Sequence, residues 1–117
     1  MDTHRYDDLS MRRRAAHVRL TALGSKTYEA FLAMEATTYA DGALSRRHKE
    51  LIAVGIAVAG GCESSMQRHI EQAVRAGAIG QEILEAIEVG IEMGGDPATV
   101  SARFALEAMN AVFPDGI

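Results

Sequence analysis

The sequence is poor in cysteine and in large aromatic side chains. Its 117 residues include one cysteine and no tryptophan, and aromatic residues make up only 5%. One cysteine excludes a disulfide framework within the chain, which predicts a reducing, cytoplasmic location. With so few rings, the core must consist of alanine, leucine, isoleucine, valine and methionine, which suit closely packed helices.

The sequence also lacks the features of membrane proteins and of proteins that bind nucleic acids. The longest apolar run, residues 51–59, is too short to span a bilayer, and residues 1–8 lack the apolar stretch of a signal peptide. The net charge is −4 and most basic side chains are dispersed among acids, which argues against binding to nucleic acid or to an anionic membrane. The exception is Arg12-Arg13-Arg14 with Arg19, interpreted as a solvated face or a subunit contact.

Alternation of apolar and polar residues, as in a strand, is missing too, and almost every long segment has helical periodicity. The sequence therefore predicts a single all-α domain of five to six helices over residues 1–117. We expect its core at residues 25–112 and a variable N-terminal extension at residues 1–24, of which residues 1–8 would be loose.

Serine caps, glycines and prolines delimit the predicted helices. The first would direct Ala15, Val18 and Leu23 inward, and the last would have Asp96 as its N-cap. The predicted helices cover residues 11–23, 26–39, 46–59, 63–76, 80–94 and 97–112.

Two patterns carry expectations about packing. The second half of helix 46–59 is apolar on every side, so it should be surrounded by its neighbours or by another subunit. Gly90 and Gly94 are four residues apart, which would let a second helix approach closely. A chain this short has an unfavourable ratio of surface to volume, and a partner subunit would help to stabilise it.

The single cysteine, Cys62, follows Gly60-Gly61 at the predicted start of a helix. There, unpaired backbone N–H groups and the positive end of the helix dipole favour the thiolate, which is the reactive form. Ser65 and His69 would lie on the same face, so that a thiol, a hydroxyl and an imidazole share one stripe. This set could carry out redox or nucleophilic chemistry. The alternative is a small residue that closes a tight turn and a histidine that caps or packs.

Glu50 is the candidate partner of His69. It lies ten residues before Gly60, and His69 lies eight residues after Gly61. If the two helices fold back on each other at the double glycine, both side chains lie ~12–15 Å from the turn and could touch. Such a pair could relay protons to a thiol, with the carboxylate fixing the tautomer of the imidazole. The alternative is an exposed acid in the first turn that complements the helix dipole.

With these residues, the chain resembles the carboxymuconolactone decarboxylase and alkylhydroperoxidase D superfamily over roughly residues 28–109. The peroxidase branch of that superfamily is marked by Glu, eleven residues, and then Cys-x-x-Cys-x-x-x-His. Glu50, Cys62 and His69 match this motif, and Ser65 occupies the position of the second Cys. The resemblance also rests on the segments 41–44, 49–52, 73–78, 82–86 and 94–98.

The resemblance implies an AhpD-like helical fold, a homo-oligomer (trimer or hexamer) and a thiol-dependent peroxide reductase. Cys62 would be the nucleophile, His69 the proton shuttle, Glu50 its orienting partner and Ser65 a hydrogen-bond donor. In the complete motif the two thiols form a disulfide, which this chain cannot close internally. It could therefore be a one-cysteine peroxidase that forms a sulfenic acid resolved by an external thiol, serve another thiol reaction, or have lost redox function.

Two other functions stay open. The decarboxylase branch does not depend on a cysteine and would bind a carboxylated lactone, with His69 and either Arg68 or Arg103 in polar roles. A non-enzymatic homologue would bind a ligand or a partner at the same pocket. No cofactor is implied, and one cysteine with one histidine at this spacing leaves too few ligands for a metal.

Overall fold

The computed structural model describes residues 2–117, which form six α-helices and no strand. The all-α prediction is confirmed, and five of the six predicted helices have bounds within a residue or so of those observed. None of the described helices is both long and apolar enough to cross a membrane. The helices are α1 (His4–Ala22), α2 (Lys26–Tyr39), α3 (Arg46–Gly60), α4 (Glu63–Arg75), α5 (Gly80–Gly94) and α6 (Asp96–Val112).

Local capping explains most of these bounds. Ser25 and Ser45 each accept a hydrogen bond from a backbone N–H at the start of α2 and α3. Gly61 ends α3 in the left-handed region, at a φ of 73°, which favours glycine. The prediction for α6 was wrong in one detail, because Gly95 is the N-cap and Asp96 is already helical. Its carboxylate lies in the first turn, where it complements the helix dipole.

Helix α3 lies at the centre of the body, in contact with α4, α5 and α6. Its closest approach to α5 is at two glycines. A Cβ atom on Gly90 would lie 2.5 Å from the carbonyl oxygen of Gly55 and 2.8 Å from Cβ of Val58. The expectation that Gly90 permits a close helix contact is therefore confirmed, and this contact fixes α3 against α5.

The outer side of α3 is not covered within the chain. Ile52 is 51% exposed and Ile56 is 67% exposed, and on α5 Val89 and Met93 are also exposed. These residues flank an open apolar groove of about 930 Å³ between the two helices, hereafter the α3–α5 groove. The chain's own helices thus surround only part of α3.

The prediction that residues 1–8 are loose was wrong for the start of α1; Met1 lies outside the described residues. Helix α1 begins at His4, and the ring of Tyr6 is buried. The Gln67 side-chain amide donates to the carbonyl oxygen of Tyr6 at 2.8 Å, and the Tyr6 hydroxyl donates to Glu71. The Tyr6 N–H donates to Glu107. These contacts are remote in sequence, and they hold the start of α1 against α4 and α6.

The second half of α1 projects away from α3, α4, α5 and α6. Ala15, Val18 and Leu23 are exposed, so the prediction that they point inward was wrong. The contacts of α1 with α4 and α6 lie in its first half, where Arg13 still donates to Gln67 on α4 at 2.8 Å. Beyond Arg13 the helix runs on to Ala22, and the chain then turns back as α2. None of the α2 residues, all of which are described, is buried. We call residues 11–39 the arm.

Candidate functional site

A cleft of about 470 Å³ lies between α2, α3 and α4. Helix α2 and the loop after it form one wall, the start of α3 forms the second, and the middle of α4 forms the third. The lining residues are Leu32, Glu35, Ala36, Tyr39, Ala40, Asp41, Arg46, Glu50, Arg68, His69 and Gln72. Charged and polar groups therefore dominate the cleft.

Glu50 and His69 meet at the bottom of this cleft. Oε1 of Glu50 lies 2.7 Å from Nδ1 of His69, and Glu50 is only 1% exposed. The predicted contact between these residues is confirmed, because the double glycine folds α4 back along α3 as expected. A carboxylate on Nδ1 assigns the proton to that nitrogen, which leaves Nε2 as the basic atom.

The Nε2 atom of His69 is open to the cleft. Within residues 2–117, no buried side-chain nitrogen or oxygen lacks a hydrogen-bond partner. Among these residues, His69 forms its hydrogen bond to Glu50 through Nδ1. Nε2 has no such partner, so it must contact solvent. His69 can therefore exchange a proton with a molecule in the cleft while Glu50 holds its ring.

Arg46 completes the environment of Glu50. Its Nε lies 3.4 Å from Oε2 of Glu50, and its Nη2 donates to Oε1 of Gln72 at 2.8 Å. Both carboxylate oxygens thus face a donor, which offsets the cost of burying the charge. The Arg46 side chain is half exposed, so it can also meet a ligand.

Tyr39 and a second ion pair form the opposite wall. The Tyr39 ring packs against the His69 ring, with centroids 5.1 Å apart and an angle of 32° between the planes. Burial and the charges of Glu50 and Glu35 raise the pKa of Tyr39, which keeps its hydroxyl protonated as a donor. Arg68 pairs with Glu35 at 2.5 Å, joining α4 to α2 across the cleft.

The thiol lies at the N-terminal end of α4. Cys62 is the N-cap residue and is exposed, and its Sγ is 3.2 Å from Oγ of Ser65. The Ser65 hydroxyl and the backbone N–H groups of Ser65 and Ser64 lower the pKa of the Cys62 thiol, against a smaller opposing effect of burial. Cys62 is thus held in a setting that favours the thiolate.

The thiol and the imidazole occupy separate places on α4. Among the described residues, those that line the cleft include Glu50 and His69 but not Cys62 or Ser65. His69 lies seven positions after Cys62 along the helix, a rise of ~10 Å, so any proton transfer between them must pass through water. Arg103 is exposed on α6, outside the cleft.

The sequence analysis did not identify the side chains that surround the contact between Glu50 and His69. Tyr39, Glu35, Arg46 and Gln72 were not identified as site residues. Helical spacing could have found Arg46, which lies four residues before Glu50 on the same face, and no sequence signal marks the α2 residues. No group of three or more His, Cys, Asp and Glu side chains in residues 2–117 is arranged to hold a metal ion.

Comparison with known proteins gives consistent matches over most of the chain. The model of the carboxymuconolactone decarboxylase family matches residues 25–108. The chain is 37% identical to the uncharacterized protein 4 in the cox locus of Paracoccus denitrificans over 106 residues, 90% of this chain and 96% of the relative. It is 36% identical to an uncharacterized protein of Cupriavidus necator over 110 residues, 89% of this chain and 97% of the relative.

Solved structures share the fold of this chain over most of its length. A carboxymuconolactone decarboxylase family protein from Legionella pneumophila superposes with a TM-score of 0.85 at 27% identity, over 92% of this chain and 96% of that one. A Thermotoga maritima protein superposes with a TM-score of 0.83 at 22% identity, over 94% of this chain and 96% of that one.

Proposed function

Because the chain belongs to the carboxymuconolactone decarboxylase family, we propose that it is a thiol-dependent peroxide reductase in which Cys62 is the nucleophile. The observation that carries the proposal is the exposed Cys62 sulfur beside the Ser65 hydroxyl, with its pKa lowered, on the helix that also holds a Glu50–His69 pair. A family relative from Thermotoga maritima has been described as having a possible role in an antioxidative response, which agrees with this chemistry.

In the first step, the Cys62 thiolate attacks one oxygen of the peroxide. An S–O bond forms and the O–O bond breaks, so the sulfur is oxidised to a sulfenic acid and the peroxide is reduced to an alcohol. Nε2 of His69 first takes up, through water, the proton that the Cys62 thiol releases on ionising, and Glu50 stabilises the imidazolium that forms. The leaving alkoxide then receives this proton from Nε2 through water, which returns His69 to its neutral form. The open Nε2 atom supports this role for His69.

An external thiol completes the cycle, since this chain has no second cysteine. The thiol condenses with the sulfenic acid, which releases water and forms a mixed disulfide. A second thiol then releases the Cys62 thiolate and leaves as the disulfide of the reductant. Two thiols are oxidised for each peroxide reduced, and no metal or cofactor takes part.

A second candidate is decarboxylation of a small carboxylated lactone in the cleft. It is favoured by one specific observation: His69, Arg46 and Arg68 line the cleft, while Cys62 does not. The half-exposed Arg46 could bind the carboxylate, and His69 could move the proton.

The two candidates are separated by Cys62→Ser. For a peroxide reductase, the rate of peroxide consumption with dithiothreitol should fall by at least about 10³-fold, because the nucleophile is lost. Ser64→Ala, an exposed neighbour in the same turn, is the matched control and should keep the wild-type rate. A sulfenic-acid probe should label the wild type after peroxide and leave Cys62→Ser unlabelled.

The same variants identify the alternative. Full peroxide turnover by Cys62→Ser would rule out the thiol mechanism. Release of carbon dioxide from a carboxylated lactone that requires His69 and is unchanged in Cys62→Ser would establish the decarboxylase function instead.

A further inference from the structure

Two tyrosines of α2 each contact a histidine, and the two contacts are built differently. The Tyr28 hydroxyl lies 2.6 Å from Nδ1 of His17, and the planes of these two rings are 61° apart, edge to face. The Tyr39 ring instead lies along the His69 ring, at 32°, and Nδ1 of His69 bonds to Glu50. Contact through the face of the ring leaves both nitrogens of His69 available at its edge, one for Glu50 and one for the cleft.

A single hydrogen bond does not fix the orientation of an imidazole. The torsion between Cβ and the ring has a broad, roughly twofold preference, so the His69 ring could turn about it and present a carbon instead of Nδ1 to Glu50. The Tyr39 ring packs against His69, whose side chain is only 12% exposed. An imidazole that turns out of its plane must displace Tyr39, so the stacked ring opposes this motion.

The start of α3 holds Tyr39 in place. Tyr39 is the last residue of α2 and of the arm, and the carbonyl oxygen of the next residue, Ala40, accepts a hydrogen bond from Nζ of Lys49 at 2.7 Å. The aspartate that follows accepts from the first backbone N–H of α3, also at 2.7 Å. Glu50 lies on the same helix. The ring and the carboxylate that contact His69 are therefore both anchored on α3.

The stacked ring also suits the charged form of His69. In the proton relay proposed above, the imidazole carries a positive charge for part of the cycle, and 5.1 Å lies within the ~6 Å over which an aromatic face attracts a cation. Glu50 contacts the edge of His69, whereas Tyr39 contacts its face. The charged and titratable groups that line the cleft with His69 come from all of its walls: Glu35, Tyr39, Asp41, Arg46, Glu50 and Arg68.

We propose that Tyr39 is a positioning residue for His69, whose imidazole it holds with Nδ1 on Glu50 and Nε2 toward the cleft. The aromatic ring carries this effect and the hydroxyl does not, so phenylalanine should replace Tyr39 and an aliphatic side chain should not. The effect of Tyr39 on turnover rests on the function proposed above, whereas the orientation of His69 can be observed without any substrate.

Nitrogen-15 NMR of the histidine side chains tests the orientation, with the His69 signals identified by their loss in His69→Gln. Wild type and Tyr39→Phe should both show a single tautomer of His69 with the proton on Nδ1. In Tyr39→Leu the second tautomer should appear, and the Nδ1 proton should exchange with water about threefold to tenfold faster, the value of one aromatic contact. Tyr39→Met should behave like Tyr39→Leu, and circular dichroism identifies which of the two variants is folded.

Tyr28→Leu is the matched control, because it removes a tyrosine of the same helix that contacts a different histidine. It should change the signals of His17 and leave those of His69 as in wild type. Peroxide turnover with dithiothreitol gives a second readout. In Tyr39→Leu, kcat should fall about threefold to tenfold with KM unchanged, while Tyr39→Phe and Tyr28→Leu should match wild type.

Unchanged His69 signals in the folded aliphatic variants would overturn the proposal. So would an equal change in Tyr39→Phe, which would assign the effect to the hydroxyl. If the His69 signals respond as expected in a protein that does not consume peroxide, Tyr39 positions His69 and the proposed peroxide reductase is wrong.

Discussion

The two ends of the candidate site are built in different ways. Cys62 lies at the exposed N-cap of α4, and the groups that lower its pKa come from the next three residues. His69 lies two turns further along, and its partners Glu50 and Tyr39 come from two other helices. The thiol end therefore depends on side-chain and backbone groups of its own helical turn, and the imidazole end depends on tertiary packing.

This difference predicts that the proposed nucleophile, Cys62, and the proposed proton donor, His69, can be altered separately. The sulfur gains its thiolate character without help from His69, whose Nδ1 is occupied by Glu50. Each end can then be altered while the other stays intact. Among changes that leave Cys62 in place, the largest expected effects come from the imidazole end.

Glu50→Gln should alter the imidazole end and leave the thiol end unchanged. The glutamine still fills the buried position, but it cannot stabilise an imidazolium, so we expect peroxide turnover to fall by about 100-fold. Alkylation of Cys62 by iodoacetamide, which needs only the thiolate, should keep its wild-type rate. The two rates are measured on the same preparation of protein.

An exposed acid on α2, Glu29, provides the control for this change. Glu29→Gln should alter neither rate, because its carboxylate faces solvent beside Lys26. If Glu50→Gln slows alkylation as much as turnover, the two ends are coupled and the local account of the thiol is wrong.

The same division explains what could be predicted from the sequence. Local signals such as Ser25, Ser45 and Gly61 located most helix ends. Counting residues in both directions from the double glycine predicted the contact between Glu50 and His69. The contacts of Tyr6 with residues far along the chain had no local signal, so the start of α1 was missed.

The inward placement of Val18 failed for a related reason. An apolar stripe in a sequence shows that a face requires cover, but it cannot tell whether the same chain or another copy supplies it. The residues of α2 that line the cleft were missed because they contribute to it only through the position of α2 beside α3 and α4, which no local pattern indicates.

Gly90→Ala should weaken the packing on which the imidazole end depends. The added Cβ would lie 2.5 Å from the Gly55 carbonyl oxygen, so α3 and α5 must move apart. We expect the free energy of unfolding to fall by about 2 kcal/mol, measured by urea denaturation.

Gly60→Ala is the matched control, because a Cβ there meets nothing within 4 Å. It should leave stability within about 1 kcal/mol of wild type or raise it slightly. Equal losses in the two variants would mean that the close contact of α3 with α5 does not stabilise the fold.

Ser65→Ala should produce the smallest effect and should act on the thiol end alone. The Ser65 hydroxyl lowers the pKa of Cys62 by donating to the thiolate. Without it the pKa rises toward its ordinary value, so the sigmoidal increase of alkylation rate with pH moves to higher pH. At pH 7 the rate should fall by about threefold to tenfold, the value of one such hydrogen bond, while the plateau at high pH is retained.

Ser64→Ala distinguishes side chain from backbone in this effect. Ser64 acts on the sulfur through its backbone N–H and not through its side chain. The dependence of the alkylation rate on pH in Ser64→Ala should therefore match that of wild type. An unchanged profile in Ser65→Ala would mean that the backbone N–H groups alone set the thiol's pKa. In that case the serine in place of the second cysteine would have no part in activating Cys62, and the helix terminus would account for the whole of its reactivity.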